Sequence, residues 1–160
     1  MINRRVAAVA AACVIGAAIG LGSFTFVYAR GSAYLTNEPS ACANCHVMRE
    51  HFSAWQRSSH HNVAVCNDCH APHDLVGKYY TKGLNGFWHS FYFTTGGYPY
   101  PLRMTERNRG VTEGACRYCH EEITDAIEHG AVGSAPSRED DAPERLMCTR
   151  CHSDVGHWVR

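Results

Sequence analysis

Four copies of one short motif constrain this chain more than any other feature of its sequence. Each copy reads Cys-x-x-Cys-His, and the copies begin at Cys42, Cys66, Cys116 and Cys148. In this motif two thiols form thioether bonds to the vinyl groups of one haem, and the adjacent histidine is placed beneath the iron. The sequence therefore predicts four covalent c-type haems, bound by Cys42, Cys45, Cys66, Cys69, Cys116, Cys119, Cys148 and Cys151.

Cysteine usage favours haem over zinc, which paired Cys-x-x-Cys units also bind. A zinc site does not require a histidine directly after each second cysteine, whereas all four copies have one. Of the nine cysteines, eight lie in the motifs and the ninth is Cys13. The sequence therefore leaves no pair of cysteines for a disulfide framework.

The predicted haems also determine the expected fold class. A chain of 160 residues must house four macrocycles, whose apolar faces supply much of the core. We expect a mainly α protein with much irregular structure and little or no sheet. We expect this protein to consist of a single N-terminal transmembrane helix and a compact multihaem cytochrome c domain. The formal net charge of zero gives no bias toward nucleic acid, and no such partner is expected.

The N-terminal segment has the composition of a membrane anchor. Residues 1–5 are a basic head, and residues 6–29 carry no charge, a length sufficient to cross a hydrocarbon core of roughly 30 Å. The positive-inside tendency predicts a cytoplasmic N-terminus and a single pass through the inner membrane, with residues 30–160 as a periplasmic tetrahaem domain. A cleaved signal peptide is the alternative, since Val27-Tyr28-Ala29 resembles a processing site. The length of the apolar run and the aromatic residues at its end favour the anchor.

A second informative stretch follows the second motif. Between residues 75 and 93, large apolar side chains recur every three to four residues, while Lys78, Lys82, Asn85 and His89 fall between them. This periodicity predicts an amphipathic helix. An aromatic stripe opposite a basic face is typical of a helix in the membrane interface, in contact with lipid, and packing against haem would give the same stripe. The nearby anchor and the two lysines favour the interface.

A long loop is expected before the third motif. Residues 94–110 are rich in glycine, proline and arginine and show no periodicity. Thr112 is then the candidate N-cap of the helix that carries the third motif.

The histidines are numerous enough to give each iron a second axial ligand. Four of the eleven lie in the motifs, as His46, His70, His120 and His152. Bis-histidine ligation sets a low potential suited to electron transfer. The best distal candidates lie on or near helical turns that adjoin a motif, namely His60 or its neighbour His61, His129 and His157.

Met48 is a different case, because it follows His46 by only two residues. At that spacing it cannot reach the opposite face of the same haem. It either replaces His46 beneath the iron or makes an ordinary apolar contact, and spacing alone favours the contact. A thioether ligand would raise the potential of that iron.

The chain as a whole resembles the NapC/NirT family of membrane tetrahaem quinol dehydrogenases. Three features carry the resemblance: the single anchor, the first motif followed by Met48, and Cys66-Asn67-Asp68-Cys69-His70 followed by Pro72-His73. The resemblance implies that Met48 ligates the first haem with His46 released. It also implies that menaquinol is oxidised beside this haem and that the electrons pass to a pentahaem cytochrome c nitrite reductase subunit.

The resemblance further implies a quinol pocket along residues 78–89. Related proteins place a lysine and a carboxylate there, which makes Lys78 and Lys82 the candidate lysines. Asn85 stands at the acidic position, so the proton acceptor is expected to be His89, Asp74 or a propionate. One distal iron ligand is implied to be a lysine supplied by the reductase.

The predicted function is therefore that of a membrane-anchored tetrahaem cytochrome c that oxidises menaquinol and reduces a nitrite reductase. One alternative is a tethered multihaem shuttle that feeds another periplasmic reductase without oxidising quinol itself. A second alternative is a five-coordinate haem that reduces a small nitrogen or sulfur oxide. The pairing of distal histidines with haems stays open at this point.

Overall fold

The protein is described by a computed structural model at residues 3–131 and 147–157, and within these ranges it is helical with no β-strand. This confirms the expected fold class. Short 3-10 turns occupy Gly31–Leu35 and His46–Met48. The helices of the described residues are α1 (Arg4–Tyr28), α2 (Pro39–Cys42), α3 (Arg49–Trp55), α4 (Cys66–His70), α5 (Leu75–Thr95), α6 (Glu106–Cys119), α7 (Glu121–Ala131) and α8 (Cys148–Cys151).

Helix α1 is apolar and its side chains are solvent-exposed. It begins after Asn3, whose side chain accepts a hydrogen bond from the Arg5 amide at 3.1 Å. Among the described residues it is the helix that is long and apolar enough to cross a membrane, a criterion that an N-terminal secretion signal also meets. It lies in the first of two compact units, Met1–Thr36 and Asn37–Arg160.

The second unit buries very few of its own apolar side chains. Ala71 and Ala115 are the buried apolar residues of the described chain, and Thr81, Thr112 and Glu113 are the buried polar ones. A domain of this length ordinarily encloses a continuous apolar core. So small a core is what the sequence predicts for a domain whose core is completed by haem.

The helices that carry the four motifs contact one another in chain order. Helix α2 contacts α4, α4 packs extensively against α6, and α6 contacts α8. The thiols follow the same order. Neighbouring pairs from successive motifs are Cys42 with Cys66, Cys69 with Cys119, and Cys116 with Cys148.

Polar contacts join α5 to the beginning of α6. Thr81 is almost completely buried, and its hydroxyl oxygen accepts a hydrogen bond from the Arg107 guanidinium at 2.8 Å. One turn further along α5, Asn85 Oδ1 accepts a hydrogen bond from Asn108 Nδ2 at 3.1 Å. The Arg107 guanidinium also lies 5.4 Å from the centre of the Tyr80 ring. These contacts fix one face of α5 against α6.

Helix α6 begins earlier than the sequence predicts. It starts at Glu106, after Thr105, whose hydroxyl accepts a hydrogen bond from the Asn108 amide at 3.3 Å. Thr112 is therefore a buried interior residue, and the prediction that it caps this helix is wrong. The loop predicted over 94–110 ends at the same point. Arginine is a good helix former, but the arginine-rich first turns of α6 carry no apolar periodicity that would reveal them.

Candidate functional site

The four motifs share a sequence pattern but not a backbone conformation. In α4, α6 and α8, both cysteines of the motif lie on one helix. At the first motif, α2 ends at Cys42, Cys45 is extended (φ −81°, ψ 122°), and His46–Met48 form a 3-10 turn. The first motif therefore differs from the other three in two ways: its cysteines do not lie on one helix, and a methionine follows it.

The rings of His60 and His120 have the spacing of two axial ligands of one iron. Their centroids are 6.1 Å apart and their planes are nearly perpendicular. Two opposed metal–nitrogen bonds of about 2 Å, each with roughly 1 Å more to the ring centre, separate axial imidazole centroids by roughly 6 Å. His61 lies elsewhere, with its ring 4.8 Å from that of Trp55.

A backbone carbonyl fixes the tautomer of His60. His60 Nδ1 lies 3.2 Å from the carbonyl oxygen of Val155. The Ser59 hydroxyl lies 3.1 Å from the same nitrogen. Because a carbonyl only accepts, the tautomer that bonds to Val155 carries its proton on Nδ1 and has its lone pair on Nε2. Metal-binding histidines typically donate their second ring N–H to such a partner. The chemistry of His60 therefore fits iron ligation through Nε2.

A second pair of histidines with the same spacing is His70 and His157. Their ring centroids are 5.9 Å apart with 19° between the planes. Burial, together with smaller effects of the neighbouring His157, His51 and His89, lowers the pKa of His70 to about 4. Burial also lowers the pKa of His157. Both imidazoles are therefore neutral at pH 7, which is the form that binds a metal.

The motif histidines His46 and His152 and the predicted ligand Met48 show no comparable pairing in the described residues. His46 and His152 are exposed, and Met48 is half-buried where it precedes α3. Position 129 belongs to α7, but the predicted role of His129 concerns a side chain that lies outside the described residues.

The predicted quinol-pocket residues share one face of α5 but have different neighbours. Their spacings of four, three and four residues place Lys78, Lys82, Asn85 and His89 in one row along the helix. The pKa of Lys82 is lowered by partial burial and by Lys78, and the nearby Cys42 opposes this shift. Asn85 is hydrogen-bonded to α6, and His89 interacts electrostatically with His70.

Lys82, with its neighbour Lys78, therefore lies near Cys42 of the first motif, and His89 lies near His70 of the second. Lys78 and Lys82 are also the two lysines of the entire chain, whose other basic residues are arginine or histidine. The ammonium of Lys82 lies 5.7 Å from the centre of the Tyr79 ring. Lysine is the basic side chain whose pKa changes most readily on burial. Two lysines near the first motif are therefore suited to assist proton transfer there.

Comparison with known families decides the chemistry of the motifs. Residues 3–160 match the family model described as NapC/NirT cytochrome c family, N-terminal region. The chain belongs to the NapC/NirT cytochrome c family. This cytochrome therefore binds haem covalently, and attachment by the motif cysteines stays a prediction of the sequence.

Individual relatives cover most of this cytochrome. It is 32% identical over 143 residues to "Cytochrome c-type protein NrfH" of Wolinella succinogenes, across 88% of this chain and 81% of the relative. It is 31% identical over 143 residues to "Cytochrome c nitrite reductase subunit NrfH" of Nitratidesulfovibrio vulgaris, across 89% and 80%. Its fold matches a chain in the crystal structure of the cytochrome c nitrite reductase NrfHA complex bound to the HQNO inhibitor. That match has a TM-score of 0.56 and 28% identity, and it covers 89% of this chain and 88% of the other.

Two residues of the site carry no signal in the sequence. His51 Nδ1 lies 3.4 Å from His157 Nδ1, so the two rings share a hydrogen bond. The Glu113 carboxylate on α6 accepts hydrogen bonds from the Cys148 amide and from the amide and hydroxyl of Thr149. Burial raises the pKa of Glu113, but the hydrogen bonds from Thr149 and Cys148 outweigh it and hold this pKa below its usual range. Their partners are so far along the chain that no local pattern reveals either residue.

Proposed function

We propose that this cytochrome oxidises menaquinol at the inner membrane and passes the electrons through four haems to a periplasmic cytochrome c nitrite reductase. The observation that carries the proposal is the order of contacts, in which α2, α4, α6 and α8 touch in sequence. Such an order supports one continuous path from the first motif to the last. When bound, haem iron cycles between its ferric and ferrous states and so carries single electrons.

The residues that hold the haems are assigned from sequence and geometry together. The motif cysteines attach four haems, and His70, His120 and His152 bind iron from the motif side. The ring spacings favour His157 as the partner of His70 and His60 as the partner of His120. Because His61 contacts Trp55 instead, His60 is the preferred member of the His60–His61 pair.

Met48 is proposed as the ligand of the first haem. The departure of the first motif from the helical conformation of the other three supports a different mode of ligation there. The exposure of His46 and the partial burial of Met48 favour the same assignment. A thioether ligand raises the potential of that iron.

Lys78 and Lys82 are proposed to line the quinol pocket beside the first motif. A positive charge next to bound quinol lowers the pKa of its hydroxyl group and favours the deprotonated, more reducing form. Asn85 is an amide and takes no proton. His89 has a pKa lowered by burial, so it is neutral at pH 7 and able to accept a proton, although its neighbour is the second motif.

Two apolar surfaces support attachment to a membrane. Helix α1 has the length and composition of a transmembrane anchor. On α5, the aromatic side chains of Phe87, Trp88 and Phe91 are solvent-exposed. Aromatic residues on one face of an amphipathic helix and lysines on another are typical of a helix in contact with lipid. Arg4 and Arg5, in the first turn of α1, support a cytoplasmic N-terminus and a periplasmic haem domain.

The proposed reductase partner rests on the relatives. One is named a cytochrome c nitrite reductase subunit, and the matching solved chain belongs to an NrfHA complex. This chain spans about four fifths of the curated relatives. A pentahaem reductase subunit is therefore the proposed electron acceptor, and it is also the proposed source of a lysine ligand to one of the haems.

The test compares Lys78→Ala and Lys82→Ala with Lys82→Arg, which keeps the charge. Each full-length holoprotein is placed in liposomes and reduced with a menaquinol analogue, and haem absorbance is followed by stopped flow. Loss of a positioned proton-transfer group typically costs roughly a hundredfold, so we expect Lys82→Ala to slow quinol-driven reduction by about that factor. Lys82→Arg should retain more of the rate, and HQNO should inhibit the wild type.

Reduction by dithionite is the control, because it bypasses the pocket and should be equal in all variants. Unchanged rates of quinol-driven reduction in both alanine variants would show that neither lysine contributes to quinol oxidation. Wild-type protein that is reduced by dithionite but not by the menaquinol analogue would contradict quinol oxidation itself. That result would favour the tethered shuttle that takes electrons from another cytochrome.

A further inference from the structure

A buried carboxylate connects the third motif to the fourth. Glu113 lies on α6 three residues before Cys116, and its side chain is 9% exposed. One carboxylate oxygen accepts a hydrogen bond from the Cys148 amide at 2.7 Å. The other accepts hydrogen bonds from the Thr149 amide at 2.9 Å and from the Thr149 hydroxyl at 2.6 Å.

This arrangement is far more specific than a surface contact. A buried carboxylate is costly unless several donors satisfy it, and Glu113 has three donors at short distances. All three belong to the first two residues of α8, which is a single helical turn from Cys148 to Cys151. A helix that short has little rigidity of its own. The orientation of α8 therefore depends on the group that holds its first residues.

The hydrogen-bonded amide belongs to a cysteine that attaches haem. We propose that Glu113 is a positioning residue that locks the fourth haem motif onto the third, and so sets the mutual orientation of the two haems and the electron transfer between them. The inference rests on the proposed relay, but it concerns a different end of the relay from the quinol pocket. The carboxylate also places a negative charge beside the fourth motif, and a negative charge stabilises ferric iron and lowers its potential.

The test uses the holoprotein with Glu113→Gln, which removes the charge, and Glu113→Asp, which keeps the charge but shortens the side chain. Glu122→Gln on α7 is the matched control, since Glu122 is an exposed carboxylate close to the third motif. Mass spectrometry counts the attached haems. Low-temperature paramagnetic resonance of the oxidised protein then reports haem orientation and spin coupling, and a redox titration reports the potentials.

We expect Glu113→Gln to change the low-spin signals and to shift at least one midpoint potential to more positive values. Glu113→Asp should change the signals with a smaller shift, and Glu122→Gln should match the wild type. Glu113→Gln signals and potentials equal to those of the wild type would overturn the proposal. If Glu113→Gln fails to load four haems, the Glu113→Asp variant tests the proposal instead. Altered signals in that variant support a positioning role for Glu113, and wild-type signals overturn it.

None of these measurements requires quinol or a reductase. A failure of the proposed function would show as absent menaquinol-driven reduction in the wild type, with the Glu113 variants still distinct in resonance and potential. A failure of the present inference would show as wild-type spectra in the Glu113 variants, with quinol-driven reduction intact. The two results are therefore separable.

Discussion

Replacing His60 with leucine is expected to leave one haem with a single axial ligand. The His60 ring is 6.1 Å from that of His120, and the Val155 carbonyl orients it so that Nε2 carries the lone pair. Leucine has a similar volume but no lone pair, so it fills the space without binding iron. Iron that loses a strong axial ligand becomes five-coordinate and high-spin.

The size of the effect follows from the motif count. One affected haem among the four predicted by the motifs means that roughly a quarter of the haem iron converts from low-spin to high-spin. The variant also loses the hydrogen bond to Val155, which costs about 1 kcal/mol. That cost is small against the total stability of a domain, so the variant should fold and retain its haems.

The assay is paramagnetic resonance of the oxidised protein, together with carbon monoxide binding to the reduced protein. The matched control is His61→Leu, because His61 is the adjacent histidine and contacts Trp55. His60→Leu should show the high-spin signal and bind carbon monoxide at one additional haem, whereas His61→Leu should keep the wild-type spectrum. A high-spin signal stronger than that of the wild type in the His61 variant, or a wild-type spectrum in both variants, would refute the ligand assignment.

Three further outcomes are expected. Thr81→Val removes the buried acceptor of the Arg107 hydrogen bond and should lower the free energy of unfolding by about 1 kcal/mol, measured by urea denaturation. Because the folded pKa of Glu113 is lowered, its stabilisation is present above the unfolded value of about 4.3 and is lost below it. The wild type should therefore lose more stability than Glu113→Gln when the pH falls below 4.3, in thermal melts at several pH values. Ending the chain at residue 146 removes His157 with the fourth motif, so one of the three remaining haems should become high-spin in resonance spectra.

The parts of the site that depend on neighbouring residues are predictable from sequence. Covalent attachment needs two cysteines and a histidine within five positions, so the sequence alone predicts eight attaching cysteines. The family match supports that reading. The apolar periodicity over 75–93 likewise predicts a helix, because helical periodicity is a local property. The structure has that helix over Leu75–Thr95.

The parts that depend on distant residues are not predictable. His60 and His61 are adjacent and chemically identical, and the group that distinguishes them is a carbonyl 95 positions away in Val155. Glu113 binds residues 35 and 36 positions away, and His51 binds a histidine 106 positions away. Only the folded chain shows these pairings, since nothing in a local window distinguishes the residues from solvated side chains.

The short segment that follows α8 connects haem sites that lie far apart in sequence. Its Val155 carbonyl orients His60 toward His120 of the third motif, and its His157 faces His70 of the second. Two of the proposed distal ligands, His60 and His157, therefore depend on the segment that follows the fourth motif. Since the described chain buries only two apolar side chains of its own, these connections and the haems supply much of what fixes the domain. We therefore expect the second, third and fourth motifs to be interdependent, so that a change at the C-terminal motif affects the second and third without any change in their own sequences.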